Sequence, residues 1–436
     1  MQVGFSCACI EIWYKVYMRY DVVIIGGGPA GMIAAGRAGE LGARVLLLEK
    51  GKGLGAKLLM TGGGRCNITN RAEGPKETAA RYGKAARFMR SLLYEFGPDE
   101  VVAFFEGRGV ETRIEEYGRV LPVSNDAGYV LDALVAYLDA NGVEVSFGAE
   151  VREVVKKENS IKAVVLASGE EVIAGSFLIA TGGMSYPASG STGDGYAFAK
   201  ALGHRIIPPR PALTTVIAED GLTNGLQGLS LSGIKVSLYK NNKKIVEDRG
   251  DVIFTANGLG GPVVMDMSKA VGAAREGRAA PRHGGVELRL DLLPDIEFKA
   301  LEQRLVRGFE KGARRLLRKA LEEFLSQRLA KVVVERAGII EDKKSGEVTR
   351  EERKRVVGML KEFTLRVRKV AGFERAFITA GGVAIKEVDP RSMRSRIIDN
   401  LYLAGEVLDI DGPTGGFNLQ VCWSTGFCAG TAMAKR

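Results

Sequence analysis

The stretch YDVVIIGGGPAGMIAAGRAGELGARVLLLEK, residues 20–50, decides the fold. It begins with an apolar run that is too short for a helix and rich in Val and Ile, which is typical of a buried parallel strand. A Gly-x-Gly-x-x-Gly turn follows at Gly26, Gly28 and Gly31, and then come a helix of small residues and a second strand ending at Glu49. The pattern predicts a dinucleotide-binding unit, because such glycines allow a tight turn, close approach of a pyrophosphate and close packing of helix on strand.

The first unit leaves the choice between NAD and FAD open. The Glu49 carboxylate can accept hydrogen bonds from ribose hydroxyls and would repel a 2′-phosphate, which argues against NADP at this site. Amides at the start of the following helix would face the phosphates. Further candidate contacts around this unit are Pro29, Ala30, Lys50 and Val151.

The C-terminal stretch NLYLAGEVLDIDGPTGGFNLQVCWSTGFCAGTAMA, residues 400–434, favours FAD. An acid at the end of its strand can hold a polyol chain, and a helix N-terminus can place amides at the pyrimidine edge of a flavin, where negative charge builds up on reduction. The alternative is an ordinary last strand–helix unit that completes the sheet, but pairing with the first unit favours the flavin. The candidate contacts are Gly405, Glu406, Gly415, Gly416, Asn418 and Leu419.

A third piece, SFLIATGGMSYPASGSTGDGYAFAKALGH at residues 176–204, again predicts a strand, a glycine turn and a helix. We expect the strand end to pass near the adenosine half of the cofactor, and the later turn to offer an anion site. The alternative is a tight turn with Thr192 or Asp194 capping a helix. The candidate contacts are Ala180, Thr181, Gly182, Gly183, Thr192, Asp194 and Gly195.

TGGGRCNITN, residues 61–70, combines three consecutive glycines with polar side chains. The glycines would let the backbone lie beside an isoalloxazine ring, where a Cβ would collide. A guanidinium can bind a carbonyl or phosphate oxygen with its fork of donors, and the lysine just before the stretch can approach the flavin N5 region or the pyrophosphate. The candidate contacts are Lys57, Gly62, Gly63, Gly64, Arg65 and Asn67.

With these motifs the chain resembles the BaiN/RdsA family of FAD-dependent oxidoreductases, also known as YhiN-like flavoproteins, from about Tyr20 to the C-terminus. The resemblance also rests on ITAGGVAIKEVDPRSMRSR, residues 378–396. It implies an α/β protein with a two-segment, Rossmann-like FAD-binding domain. It also implies an inserted β-rich domain that itself carries a helical insertion.

The residue pattern supports the same layout. Alternating stretches between Pro208 and Leu293 predict strands, and apolar residues at helical spacing follow from Pro294 to Val370. We therefore assign 20–205 and 397–436 to the FAD-binding domain, 206–293 and 374–396 to the β-rich domain, and 294–373 to the helical insertion. Residues 1–19 are expected to be an N-terminal extension with neither the basic start nor the apolar centre of a signal peptide. Met18 is a candidate true start, and the alternative is that the extension is an extra strand or helix packed on the surface.

The charge distribution and the cysteines indicate which kind of partner and which cellular compartment to expect. Of the net charge of +10, +8 falls between Leu293 and Phe373, where 21 Lys and Arg face 13 Asp and Glu. Such a basic module suits a polyanion such as RNA, although charged helices are more often solvated surfaces. The five cysteines are an odd number, and Cys66, Cys422 and Cys428 have no metal-ligand spacing, which indicates a reduced, cytoplasmic compartment and no metal site. No apolar run is long enough to span a membrane.

Two residues are candidates for catalysis. Reduction of an activated double bond needs hydride on one carbon and a proton on the next, and a Cys66 thiol beside the ring can supply that proton. The alternative is that Cys66 is a small buried residue under the flavin. Lys57 is the second candidate. The family usually has a histidine in the stretch that here reads IFTANGLGGPVVM, where this chain has Ala256 and Asn257.

The other histidines and cysteines fit structural roles. His204, expected at a helix end, is a structural rather than a catalytic candidate, and His283 falls in a Pro/Gly-rich turn. Cys422 and Cys428, six residues apart, do not share a helix face, so a redox disulfide between them is not expected. No second dinucleotide motif or Cys-x-x-Cys is present, which argues against a two-dinucleotide disulfide reductase.

Three functions stay open. The first, implied by the resemblance, is hydride transfer from flavin N5 to a uridine of large-subunit ribosomal RNA to make dihydrouridine, with the basic insertion binding phosphates. The second is a small-molecule amine oxidase or enone reductase. The third is a flavoprotein that binds RNA or a protein without turnover. NADH or NADPH is a candidate transient reductant, and we prefer an NAD(P)H-linked reductase to an oxidase.

Overall fold

The computed structural model describes residues 20–71, 74–219, 221, 223, 225–275 and 285–435. The predicted N-terminal extension with Met18 and the turn with His283 lie outside the described residues. The chain divides into two compact units. The first holds the described residues up to Pro211 and those from Phe377 onward, and the second is Ala212–Ala376.

The strands, in chain order, are β1 (Tyr20–Ile25), β2 (Val45–Glu49), β3 (Thr69–Asn70), β4 (Thr112–Ile114), β5 (Arg119–Pro122), β6 (Glu144–Phe147), β7 (Val151–Lys157), β8 (Ser160–Leu166), β9 (Glu171–Val172), β10 (Ala174–Ile179), β11 (Ile206–Ala212), β12 (Val216–Ala218), β13 (Ser230–Lys240), β14 (Lys243–Thr255), β15 (Gly258–Gly260), β16 (Val286–Asp291), β17 (Phe363–Val370), β18 (Ile378–Val383) and β19 (Leu401–Leu403).

The helices are α1 (Pro29–Glu40), α2 (Pro75–Ala80), α3 (Ala86–Glu95), α4 (Pro98–Glu106), α5 (Ala127–Ala140), α6 (Asp194–Ala201), α7 (Pro262–Arg275), α8 (Phe298–Lys311), α9 (Leu317–Leu321), α10 (Gln327–Arg336), α11 (Arg350–Lys361) and α12 (Phe417–Ala434).

The centre of the first unit is a five-stranded parallel sheet in the order β19-β10-β1-β2-β6. Most side chains of β1 and β2 are buried, as expected for strands covered on both faces. The three strand–glycine–helix patterns read from the sequence therefore meet at one edge of this sheet, where the carboxyl ends of β1, β10 and β19 lie side by side. The predicted α/β, Rossmann-like fold class is confirmed.

Small residues let α12 pack very closely on α1. A Cβ on Gly426 would lie 2.5 Å from the carbonyl oxygen of Ala30, and a Cβ on Gly430 would lie 2.4 Å from that of Ala34. Glycines four residues apart lie on one face of a helix, so the two backbones approach directly. The two chain segments of the first unit therefore share one core.

The second unit is a closed barrel of β12, β15, β14, β13, β16 and β17, together with helices α7 to α11. Its apolar core is separate from that of the first unit. Within the predicted helical face, Leu317, Leu321 and Val333 are fully buried.

Parts of the predicted layout differ from the structure. Residues 363–370, placed in the helical insertion, form strand β17: Phe363, Leu365 and Val367 are buried and alternate with exposed Arg366 and Arg368. This period of two is that of a strand with one buried face, and it outweighs the helical composition of the preceding residues.

Two further segments were placed differently by the sequence. Strand β18, assigned to the β-rich domain, pairs with β11 instead of joining the barrel. Helix α7 lies within a segment predicted as strands only, because its Val263, Val264, Met267 and Val271 face the core at helical spacing.

Candidate functional site

A cavity of about 710 Å³ opens at the carboxyl edge of the parallel sheet, a size typical of small-molecule and cofactor sites. Every residue that lines it belongs to the first unit. The predicted contacts that lie in its wall are Gly26, Gly28, Pro29, Ala30, Glu49, Lys50, Lys57, Val151, Ala180, Thr181, Gly182, Thr192, Asp194, Glu406, Asn418 and Leu419.

The first glycine turn has one position open to a ligand and two that serve packing. A Cβ on Gly28 would meet no protein atom within 4 Å. A Cβ on Gly31 would lie 1.9 Å from the carbonyl oxygen of Gly26, and Gly26 itself has a φ of +109°. Gly28 therefore leaves bare backbone in the cavity wall, whereas Gly31 allows α1 to pack on the turn.

Glu49 is fixed at the end of β2 by its own backbone surroundings. Its Oε2 accepts a hydrogen bond from the Gly27 amide at 2.8 Å and its Oε1 accepts one from the Gly51 amide at 2.6 Å. A carboxylate can accept further bonds, so Glu49 keeps acceptor capacity for ribose hydroxyls.

Lys50 spans the wall to the turn before α6. Its Nζ donates to Thr192 Oγ1 and to Asp194 Oδ2, both at 2.5 Å. The predicted helix cap is wrong, because α6 starts at Asp194 after Gly193 and no side chain caps it. Thr192 and Asp194 instead bind the ammonium group of Lys50 at the cavity wall.

A second polar network surrounds Glu406 at the other end of the site. Lys57 Nζ donates to Glu406 Oε2 and to Ser185 Oγ, both at 2.7 Å. Glu406 Oε1 accepts hydrogen bonds from the Thr379 amide at 2.7 Å and from Ser185 Oγ at 3.0 Å. The acid predicted to hold the polyol is thus oriented by three donors from separate chain segments.

Several predicted contacts lie outside the cavity wall: Gly31, Gly62, Gly63, Gly64, Arg65, Cys66, Asn67, Gly183, Gly195, Gly405, Gly415 and Gly416. For some of them the structure gives a packing reason. A Cβ on Gly416 would lie 2.3 Å from the Thr69 carbonyl oxygen, and one on Gly195 would lie 2.1 Å from Thr181 Oγ1. Arg65 is 40 % exposed and pairs with Glu115 at 3.6 Å.

The structure places Cys66, the candidate proton donor, in the core. Its side chain is fully buried and does not line the cavity. Burial raises the pKa of the Cys66 thiol to about 12, and a hydrogen bond with Thr61 opposes this rise only in part. Cys66 itself has a φ of +62°, and its side chain lies in the core of the first unit. The alternative, a small buried residue, describes its surroundings.

Cys422 lines the cavity and was missed as a site residue. It follows Asn418 by four residues on α12, so both lie on one helix face. That spacing was the signal that could have found it. Burial raises the pKa of Cys422 to about 12, with the nearby Glu406 carboxylate adding to the effect. Cys422 and Cys428 are free thiols, as expected.

His204 has a structural environment. Its Nδ1 lies 3.1 Å from Glu387 Oε2 and its Nε2 lies 2.9 Å from Ser395 Oγ. Burial lowers the pKa of His204, although Glu387 opposes the shift. Ala256 and Asn257, where the resemblance leads one to expect a histidine, lie between β14 and β15 of the barrel.

The wall fits a dinucleotide such as FAD. Thr181 Oγ1 is buried in the described structure without a hydrogen-bond partner, although Thr181 lines the cavity. A buried hydroxyl without a partner is costly, so a ligand hydroxyl or phosphate would satisfy it. Both α1 and α12 begin at the wall, so two positive helix ends lie there, and such ends suit a phosphate or the negative charge of a reduced pyrimidine ring.

Among the described residues no cluster of His, Cys, Asp and Glu could hold a metal ion. No helix within the same residues has the length and apolar character needed to cross a bilayer.

Comparison with known proteins identifies the family. The model of the HI0933-like protein Rossmann domain matches residues 20–432. The chain belongs to this family. The predicted enzyme class, an FAD-dependent oxidoreductase related to the BaiN and RdsA proteins, is confirmed.

Two relatives align with nearly the whole chain. The 3-dehydro-bile acid delta(4,6)-reductase of Clostridium scindens is 31 % identical over 95 % of this chain and 98 % of its own length. The ribosomal RNA dihydrouridine synthase of Escherichia coli is 29 % identical over 96 % and 99 %. The solved structure of 3-ketosteroid delta1-dehydrogenase from Sterolibacterium denitrificans has a TM-score of 0.54 at 14 % identity, covers 95 % of this chain and 99 % of its own, and supports the fold alone.

Proposed function

We propose that this protein is an FAD-dependent reductase that converts a uridine of large-subunit ribosomal RNA to dihydrouridine. The alignment with a ribosomal RNA dihydrouridine synthase over 96 % of the chain supports this choice. The single observation in the structure that carries it is a row of exposed basic side chains on α8 of the second unit.

Helix α8 is strongly two-sided. Leu301, Leu305 and Phe309 are buried on one face. Arg304, Arg307 and Lys311 are exposed, and none of them forms an ion pair with an acidic residue in the described part of the chain. Charges spaced three or four residues apart lie along one helix face. Because none of them is held in an ion pair, they are available to bind successive phosphates.

Strand β17 adds a second set of basic side chains. Arg366 and Arg368 are exposed and lie on the outer face of the barrel, since residues two apart in a strand point to the same side. Together with the three basic side chains of α8, Arg366 and Arg368 favour a polyanionic substrate.

Lys57 is the proposed catalytic residue of the chain. Bound FAD would supply hydride chemistry at N5, and Gly28, Glu49, Thr181 and Glu406 are the proposed contacts that hold it. Lys57 Nζ lies in the same wall, 2.7 Å from Glu406 and from Ser185. We assign it to the substrate carbonyl oxygen, where its positive charge stabilises the negative charge that develops when hydride adds to a conjugated double bond. NADH or NADPH is the proposed reductant.

A small-molecule enone reductase is the second candidate. It is supported by the 31 % identity to the bile acid reductase over 95 % of the chain. Both relatives carry names of enzymes that reduce carbon–carbon double bonds, so the assigned role of Lys57 is the same in either case. For either reaction we propose the cytoplasm as the compartment, from the cysteine pattern.

The experiment combines a genetic and a binding arm. Deletion of the gene should abolish one dihydrouridine of large-subunit ribosomal RNA, measured by mass spectrometry of RNA fragments. Wild-type protein should restore it, and Lys57→Met should not. If the deletion leaves this RNA unchanged, the RNA reaction is excluded. The small-molecule reductase is then the remaining hypothesis, and reduction of an added cyclic enone by the purified protein tests it.

The binding arm tests the basic surface with a matched control. Arg304→Glu with Arg307→Glu should reduce the slope of log affinity for ribosomal RNA against log salt by about 0.7–0.9 per residue. Arg87 and Arg90 are also exposed and three residues apart, but lie on α3 of the first unit. Reversing their charges should change the slope much less. Equal effects of the two pairs would show that α8 has no special role.

A further inference from the structure

We propose that Phe377, supported by Tyr186, is a stacking surface for a planar, conjugated ring of the substrate, such as a pyrimidine base. This inference rests on the proposed function, because it names the substrate subsite of the same cavity. It concerns residues that neither the motifs nor the comparisons assign to any role.

Phe377 is an aromatic side chain left open to the cavity. The residue lines the wall and is 38 % exposed, whereas the neighbouring Ile378, which also lines it, is 8 % exposed. An exposed aromatic ring forgoes a substantial part of its burial free energy. A ring in the wall of a cofactor cavity can regain it by stacking on a flat ligand.

The backbone at Phe377 is held in place by the network around Glu406. Ser185 Oγ donates to the Phe377 carbonyl oxygen at 3.4 Å, and the Thr379 amide donates to Glu406 at 2.7 Å. These bonds fix the start of β18 against the loop that follows β10. The backbone position of Phe377 is therefore set by the groups that also bind Lys57.

Tyr186 lies behind this ring in a strained conformation. The two ring centres are 5.7 Å apart and the planes are tilted by 58°, so the rings touch without covering each other. Tyr186 has φ +53° and ψ +60°, a left-handed conformation that non-glycine residues adopt at a cost of about 1–2 kcal/mol. Ser189 maintains it with two hydrogen bonds to the Tyr186 carbonyl oxygen. Strain of this kind is concentrated at functional sites.

The combination indicates the class of ligand. An aromatic face in the wall suits a flat ring, and every nucleobase offers such a face. Lys57 lies in the same cavity, and Ser185 connects it to the Phe377 backbone. A lysine ammonium binds an oxygen acceptor. A planar ring with a conjugated carbonyl group satisfies both, and the uracil base is one source of that chemistry, while a cyclic enone is the other.

The test compares substitutions of Phe377 in the FAD-loaded protein. Phe377→Ala should raise KM for ribosomal RNA by about 5- to 150-fold, as expected from loss of about 1–3 kcal/mol of base stacking. The FAD content and kcat should change little. Phe377→Leu should resemble the Ala variant, because it keeps apolar volume but has no ring, and Phe377→Trp should restore KM. Tyr94→Ala, an exposed tyrosine on α3, is the control and should leave KM unchanged.

Each outcome has a defined meaning. A normal KM in Phe377→Leu would show that Phe377 contributes only apolar packing, and would overturn the proposal. Loss of FAD in Phe377→Ala with a normal KM would also overturn it. Titration with free uracil, followed by the flavin difference spectrum, requires no turnover. Weaker uracil binding in Phe377→Ala, with unchanged binding in the Tyr94→Ala control, would support stacking even if no RNA is reduced. If instead a cyclic enone is the substrate, its KM should show the same pattern, whereas an unchanged KM and an unchanged uracil affinity would overturn the proposal.

Discussion

Two glycines of the same turn should respond to alanine in opposite ways. Gly28 has φ −81° and ψ −178°, which alanine adopts freely, and its added Cβ would meet no protein atom within 4 Å. Gly28→Ala should therefore leave the FAD-free protein as stable as the wild type, or more stable by about 0.4–1 kcal/mol through a less flexible unfolded chain. In Gly31→Ala the Cβ would lie 1.9 Å from a backbone oxygen, so overpacking should cost about 1–3 kcal/mol.

Gly28→Ala, which should not destabilise the FAD-free protein, should nevertheless weaken FAD binding. Its bare backbone faces the cavity, so a methyl group there would meet the pyrophosphate, and an overpacking cost of about 1–3 kcal/mol corresponds to a roughly 5- to 150-fold weaker Kd. The assays are urea unfolding of the FAD-free proteins and titration of each with FAD, followed by flavin fluorescence. An unchanged Kd in Gly28→Ala would refute the proposed path of the pyrophosphate. Destabilisation of the FAD-free Gly28→Ala protein would refute the description of the open turn.

Three further predictions follow from the site. Lys57→Met should lower kcat by about 100-fold while FAD is retained, whereas Lys52→Met, in the same wall, should not, as steady-state kinetics would show. Because the pKa of Cys66 is raised to about 12 and the side chain is buried, iodoacetamide at pH 8 should modify it only after unfolding, a difference that peptide mass spectrometry detects. Because the pKa of His204 is lowered in the folded protein, the unfolded state binds the imidazole proton more tightly. The neutral imidazole therefore contributes to the free energy of unfolding above about pH 6.5, and this contribution is lost as the pH falls. Urea midpoints should therefore fall from pH 7.5 to pH 5.5 in the wild type and fall less in His204→Asn.

The parts of the fold that the sequence predicts well are local. The turn with Gly26, Gly28 and Gly31 is defined by residues close in the chain, and the same holds for Glu49 at the end of the next strand. Such patterns survive folding because their geometry is set by short-range backbone constraints. Strand β17 was not predicted, because its short alternating pattern directly follows a long helical segment.

The parts that the sequence does not predict depend on contacts between distant segments. Ser185 and Thr379 lie in recognised stretches but have no predicted role, and they reach Glu406 only because β18 lies next to the chain that follows β10. Phe377 becomes a wall residue by the same arrangement. Cys66 shows the opposite case: its neighbours suggested a place beside the ring, but a single left-handed residue turns it inward. No local pattern encodes that turn.

The close packing of α12 on α1 has a consequence for biosynthesis. The nascent chain makes β1, α1 and β10 early, but β19 and α12, with Glu406 between them, follow only after the whole barrel unit has been translated. Until Gly426 and Gly430 pack against α1, the face of α1 that α12 covers in the complete protein is uncovered. Flavin loading is therefore expected to occur late, after translation of α12, and the half-made unit would depend on chaperones during that interval.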